Sequence, residues 1–178
     1  MSQPADPVFL YVVDTSFFIE IHKRYPKRTL PGIWRDLEAL VRDGRIIAPE
    51  NVKTEINRQD DELKEWVNSH SSMFESLGTE LWNTTGVVVN AFPRTAHALS
   101  LNPEHADPFV IGLAMKLEKQ GSFEPRRVVV VAEERGKLAD NPKLRDAEIE
   151  KIPDVCEKFG IGCVTHLEMF KREGFRFY

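Results

Sequence analysis

A chain of 178 residues that is 42% hydrophobic and 29% charged has enough apolar side chains to close its own core, and a single domain is expected over residues 1–178. A formal charge of −4 and a pI near 5.8 exclude a generally basic surface of the kind that coats nucleic acid, although not a local basic patch. No apolar run is long enough to span a bilayer, and the opening MSQPADP lacks the basic and apolar regions of a secretion signal, so no membrane association and a cytoplasmic location are expected.

The first expected element is a strand over 8–13. VFLYVV is unbroken, apolar and rich in β-formers, as a central parallel strand covered on both faces must be. Asp14 then falls at its carboxyl end, where open α/β sheets place ligands and where packing gives no reason for a carboxylate. Thr15 or Ser16 is expected to cap a helix that runs to about Tyr25 and stops at Pro26. Pro31 opens a second helix, with Ile33, Trp34, Leu37, Leu40 and Val41 at helical spacing and Gly44 beyond it. Arg45 to Ala48 is a short second strand, and Pro49 begins a helix through Arg58. This β-α-α-β start favours a parallel sheet and sets the class as α/β.

From Asp60 to about Leu101 the pattern gives helices and no strand, with Val87 to Val89 read as helix. A helix follows over Ala106 to Lys119, ended by Gln120 and Gly121. Arg127 to Ala132, RVVVVA, is the second strong strand and should lie beside the first. Residues 133–151 form a charged segment without clear period. A short helix from Pro153, a strand near Gly162 to Val164 and a last helix from His166 complete the chain. Cys156 and Cys163, even with His166, match no zinc spacing and are expected to be reduced thiols packed in the core. His22, His70, His97 and His105 form no paired motif and receive no role.

Three further carboxylates interrupt apolar patterns. Glu55 lies on or beside the helix face marked by Val52 and Ile56, with a surface pairing to Lys53 or Arg58 as its plainer alternative. Asp107 shares a helical stripe with Val110, Ile111, Ala114 and Leu117 in ADPFVIGLAMKL, while Asp before Pro is also a good N-cap. Glu133 or Glu134 follows the VVVVA strand at a carboxyl edge. Carboxylates brought to one edge of a parallel sheet repel, and a hard divalent cation, Mg²⁺ or Mn²⁺ rather than zinc, resolves that repulsion. Such an ion can polarise a phosphodiester and acidify a bound water.

The order strand, Asp14, Thr15, Ser16, then helical Glu55, Asp107 in ADPFVIGLA, and an acid after VVVVA resembles the PIN-domain ribonucleases. Within them it is most similar to the VapC-like toxin branch and a PIN-like bacterial family of unknown function. The resemblance spans nearly the whole chain and implies a PIN-like three-layer α/β/α sandwich with a central, mainly parallel sheet. It also implies a Mg²⁺- or Mn²⁺-dependent endoribonuclease, a hydrolase of RNA phosphodiester bonds, often the toxin of a toxin-antitoxin pair and often a homodimer. By the same resemblance Asp14 and Asp107 are the principal metal ligands, Glu55 completes or orients the site, and Ser16, beside Thr15, hydrogen-bonds within it. The family's Thr-x-Asp after the second strong strand corresponds here to Ala132, Glu133 and Glu134, and the register favours Glu134 over Glu133 as fourth ligand. Arg126, Arg127, Arg135, Lys137, Lys143 and Arg145 are the candidate cations for RNA phosphates. Because Ala132 to Glu134 departs from the family pattern, an inactive PIN-like binding or scaffold module is the alternative. A haloacid-dehalogenase-like phosphatase is disfavoured by Ser16, where that chemistry needs a second Asp, and no GxGxxG follows the first strand to bind a dinucleotide.

Overall fold

The computed structural model describes residues 7–58, 61–121, 126–138, 141–143, 149 and 151–177, so Arg145 lies outside the described residues. Five strands form one sheet: β1 (Val8–Val13), β2 (Ile46–Pro49), β3 (Phe74–Glu75), β4 (Arg126–Val131) and β5 (Gly162–Val164). Their order is β3-β2-β1-β4-β5, and every neighbouring pair is parallel. The valine-rich β1 and β4 pair along their full lengths, from Val8 opposite Arg126 to Val13 opposite Val131. Central strands of a parallel sheet are covered on both faces. Accordingly, Tyr11, Val12, Val13, Val130 and Val131 are all sealed from solvent.

The helices that flank the sheet are α1 (Thr15–Arg24), α2 (Pro31–Arg42), α3 (Glu50–Ile56), α4 (Asp61–Ser69), α5 (Thr79–Ala91), α6 (Pro93–Leu101), α7 (Asp107–Lys119), α8 (Ile152–Phe159) and α9 (His166–Glu173). From β1 the chain winds to β2 and β3 on one side, and after β3 it crosses to β4 and β5 on the other. Right-handed crossovers therefore place α1–α4 and α5–α8 on opposite faces. The winding direction reverses between β1 and β4, which opens a crevice beyond their carboxyl ends. Helix α7 packs on β1, β2 and β4, with α5 against it. That contact is close because Gly112 has no side chain: a Cβ there would lie 2.4 Å from Thr85 Oγ1 and 2.9 Å from Thr85 Cα.

Most expected elements are present, including Val87 to Val89 within α5. Three differ. The two-residue β3 pairs Phe74 and Glu75 with Ala48 and Pro49, and is too short to leave any periodic signal. Pro49 closes β2 in extended conformation (φ −72°, ψ 153°), and α3 starts only at Glu50. The N-cap of α1 is Asp14 itself, not Thr15 or Ser16, so the strand passes into the helix without a loop. Among the described residues no helix is long and apolar enough to cross a membrane. Cys156 and Cys163 are free thiols, the first buried and the second half-buried.

Candidate functional site

The crevice between β1 and β4 begins at Asp14, which is only 5% exposed. Its Oδ2 accepts hydrogen bonds from the Ser16 N–H (3.1 Å) and the Ser16 hydroxyl (2.6 Å). The Ser16 hydroxyl oxygen in turn accepts from the Glu133 N–H (3.1 Å), which fastens the exit of β4 to the cap of α1. Burial, and then the charge of Asp107, push the Asp14 carboxyl up to about 7 against the opposing bonds from Ser16. The buried Asp14 therefore lies within the field of Asp107, whose own side chain is 29% exposed.

Glu55 reaches back from α3 toward the same crevice. Its Oε2 accepts from the Thr15 hydroxyl (2.5 Å) and its Oε1 from the Ala106 N–H (3.0 Å), with His105 Nδ1 3.7 Å away. Burial pushes this carboxyl up, but the bonds from His105, Thr15 and Ala106 outweigh it and hold Glu55 below the usual glutamate range. The surface alternative is not realised: Lys53 lies 5.8 Å from the centre of the Phe74 ring, and Arg58 pairs with Glu104. Asp107 is likewise no N-cap. Ala106 occupies that position in helical conformation without a side-chain cap, and Asp107 is the first helical residue, its Oδ2 3.2 Å from His105 Nε2.

His105, to which the sequence assigned no role, therefore sits between two of the three carboxylates. Asp107 first and Glu55 second raise its pKa to about 10 despite burial, so the imidazole is charged at neutral pH. A second unanticipated residue is Asn51, one turn before Glu55 on α3. Its Nδ2 donates to the Glu104 carbonyl (3.3 Å), while its buried Oδ1 has no partner among the described residues. Asn51, Glu55 and Arg58, at helical spacing, thus grip residues 104–106 and hold the start of α7 in place. The signal available in sequence was that spacing, with nothing to show what it faced.

At the fourth position both glutamates are engaged by other helices. The carboxylate of Glu133 turns to α9, where Oε1 accepts from the His166 N–H and Oε2 meets His166 Nδ1, both at 2.7 Å. His166 Nε2 lies 3.0 Å from the Tyr25 hydroxyl. Glu134 instead takes the N-terminus of α8: it accepts from the Ile152 N–H (2.8 Å) and pairs with Lys151 (2.8 Å). Each oxygen of both glutamates therefore has a protein partner away from Asp14 and Asp107. Asp154, 1% exposed, accepts from Lys137 N–H (2.7 Å) and Leu138 N–H (2.8 Å) and fixes the segment after β4.

The candidate phosphate contacts divide. Arg135 and Lys137 follow the carboxyl end of β4, and Lys143 is exposed. Arg126 and Arg127 pair opposite Val8 and Phe9 at the amino end, a strand length of about 17 Å from the crevice.

Among the described residues no three His, Cys, Asp or Glu side chains stand together as a metal cage. The donor set nevertheless fits Mg²⁺ or Mn²⁺ in a sparser way. Mg²⁺ is commonly held by one or two carboxylates, with water and substrate phosphate completing its shell. Asp14 and Asp107 are such a pair of hard oxygen donors, and the charge of Asp107 contributes to raising the Asp14 carboxyl.

An all-parallel α/β sheet with acidic side chains gathered where its winding reverses is the class that fold and site define. The chain belongs to the family described as a domain of unknown function, DUF4411, whose model matches residues 11–177. No curated protein matches the chain.

Proposed function

We propose that this protein is a PIN-like, Mg²⁺- or Mn²⁺-dependent endoribonuclease whose metal is held by Asp14 and Asp107. The observation that carries the reading is the opposition of these two carboxylates, with Asp14 nine-tenths buried and pushed up to about 7 by burial and by Asp107. Asp14 also caps α1, but capping does not call for a second carboxylate beside it, whereas a divalent cation would draw the two together. When bound, the metal would polarise a phosphodiester and acidify an attacking water.

The chain's own residues do the rest. Ser16 fixes the Asp14 carboxylate through two hydrogen bonds. Glu55 is spent on Thr15 and Ala106 N–H, so it is a positioning residue rather than a ligand. His105 offsets the charge of Glu55 and Asp107 and offers a cation to an incoming phosphate.

A specific observation also favours the other reading, an inactive binding module: Glu133 and Glu134 are both committed elsewhere. Incubation of purified protein with RNA in Mn²⁺, Mg²⁺ or EDTA separates the two. Metal-dependent cleavage lost in Asp14→Asn and Asp107→Asn supports the nuclease, and cleavage undiminished in both variants rejects it. A toxin role and an antitoxin partner rest on the resemblance. Growth arrest on expression, relieved by Asp14→Asn, is their cellular test.

A further inference from the structure

At the opposite end of the sheet from the carboxylates lies a groove of about 870 Å³. Its origin is topological. Strand β5 begins at Gly162, opposite Val129, so among the described residues Arg126, Arg127 and Val128 have a strand neighbour on the β1 side only. The uncovered edge of β4 forms part of the wall, and Leu117 and Glu118 of α7 and Arg172 of α9 also line it.

Three arginines, Arg126, Arg127 and Arg172, line this one groove, Arg126 and Arg127 leaving opposite faces of the β4 edge. Arg126 and Arg127 are exposed, and among the described residues neither has an ion-pair partner. Arg172 is steadied by the Phe9 ring, its guanidinium 5.0 Å from the ring centre. Glu118 is the single carboxylate among the described lining residues, one negative charge set against three arginines. In a chain of net charge −4, arginines gathered in a ligand-sized groove favour an anionic occupant.

We infer that this groove is a second binding site, for the phosphate chain of a polyphosphate, nucleotide or RNA backbone. Arginine forks match phosphate oxygens in geometry and charge. The site reads phosphate rather than base: Phe9, the aromatic among the described lining residues, has Arg172 over its ring and Tyr11 stacked with it at 6.1 Å, so it offers no open face for stacking. The site is independent of the nuclease reading, since it lies a strand length from Asp14 and needs no metal.

The test is calorimetric titration of the full chain with inorganic tripolyphosphate in EDTA, which removes any contribution from metal at the carboxylates. Binding should weaken as salt rises. It should weaken about tenfold or more in the Arg126→Glu, Arg127→Glu double variant, whose exposed positions leave the core untouched. Glu118→Gln should tighten it, a gain that misfolding cannot produce. Competition by a single-stranded RNA of about a dozen nucleotides identifies RNA backbone as the source, and lack of competition identifies a free polyphosphate compound. No binding by the wild type, undiminished binding by the double variant, or equally tight binding of a hepta-glutamate peptide overturns the assignment.

Discussion

His105 holds its Nε2 3.2 Å from Asp107 Oδ2 while its Nδ1 faces Glu55, so one imidazolium tempers two carboxylates. Removing it leaves both without that counter-charge. His105→Gln is expected to lose ~1–2 kcal/mol of stability in EDTA at pH 7. The variant should also gain more from added Mn²⁺ than the wild type, because the competing cation is gone. Thermal unfolding with and without Mn²⁺ measures both, and an unchanged metal response contradicts the placement of His105 at the site.

Asp14 gives a pH dependence with a definite sign. Its pKa rises from the ordinary 3.8 to about 7, so between those values the folded protein keeps a proton that the unfolded chain has released. Stability contributed by this group is complete below pH 3.8 and falls as pH rises toward 7. Asp14→Asn, of the same shape and without charge, should therefore stabilise the metal-free protein at pH 8 by up to ~4 kcal/mol and much less at pH 5. Urea unfolding in EDTA at the two pH values reads the difference. A variant less stable than wild type at both contradicts it.

Glu134 caps α8 and pairs with Lys151. Glu134→Gln should cost ~1 kcal/mol of stability and leave Mn²⁺ affinity unchanged. Loss of Mn²⁺ binding in this variant shows that Glu134 leaves α8 to join the metal, and restores the fourth ligand that the family pattern implies.

Gly112→Ala places a methyl group against the backbone of Thr85, where neither helix can yield without moving. A loss of ~1–3 kcal/mol is expected. Thr85→Ala in the same chain should recover only part of it, because the 2.9 Å approach to Thr85 Cα and N remains.

Much of this arrangement was legible in the residues. The valine runs of β1 and β4 and the stripe of α7 are long enough to declare their period, and Asp14 and Asp107 stand out because each interrupts such a run. Strand β3 carries two residues and no period. His105 and Asn51 take their roles from the contact between α3 and the segment before α7, a tertiary relation that local pattern does not encode. Glu133 and Glu134 were ambiguous because, past the end of a strand, the alternation that aims side chains no longer holds. Their partners, His166 and Ile152, arrive from distant segments.

The central claim is that Asp14 and Asp107 together hold one divalent cation. Titration of the metal-free protein with Mn²⁺ at pH 8, followed by electron paramagnetic resonance of the free ion, tests it most directly. The wild type should bind Mn²⁺, and Asp14→Asn and Asp107→Asn should each weaken binding by about tenfold or more. Mn²⁺ binding of wild-type strength in the double Asp14→Asn, Asp107→Asn variant contradicts the account.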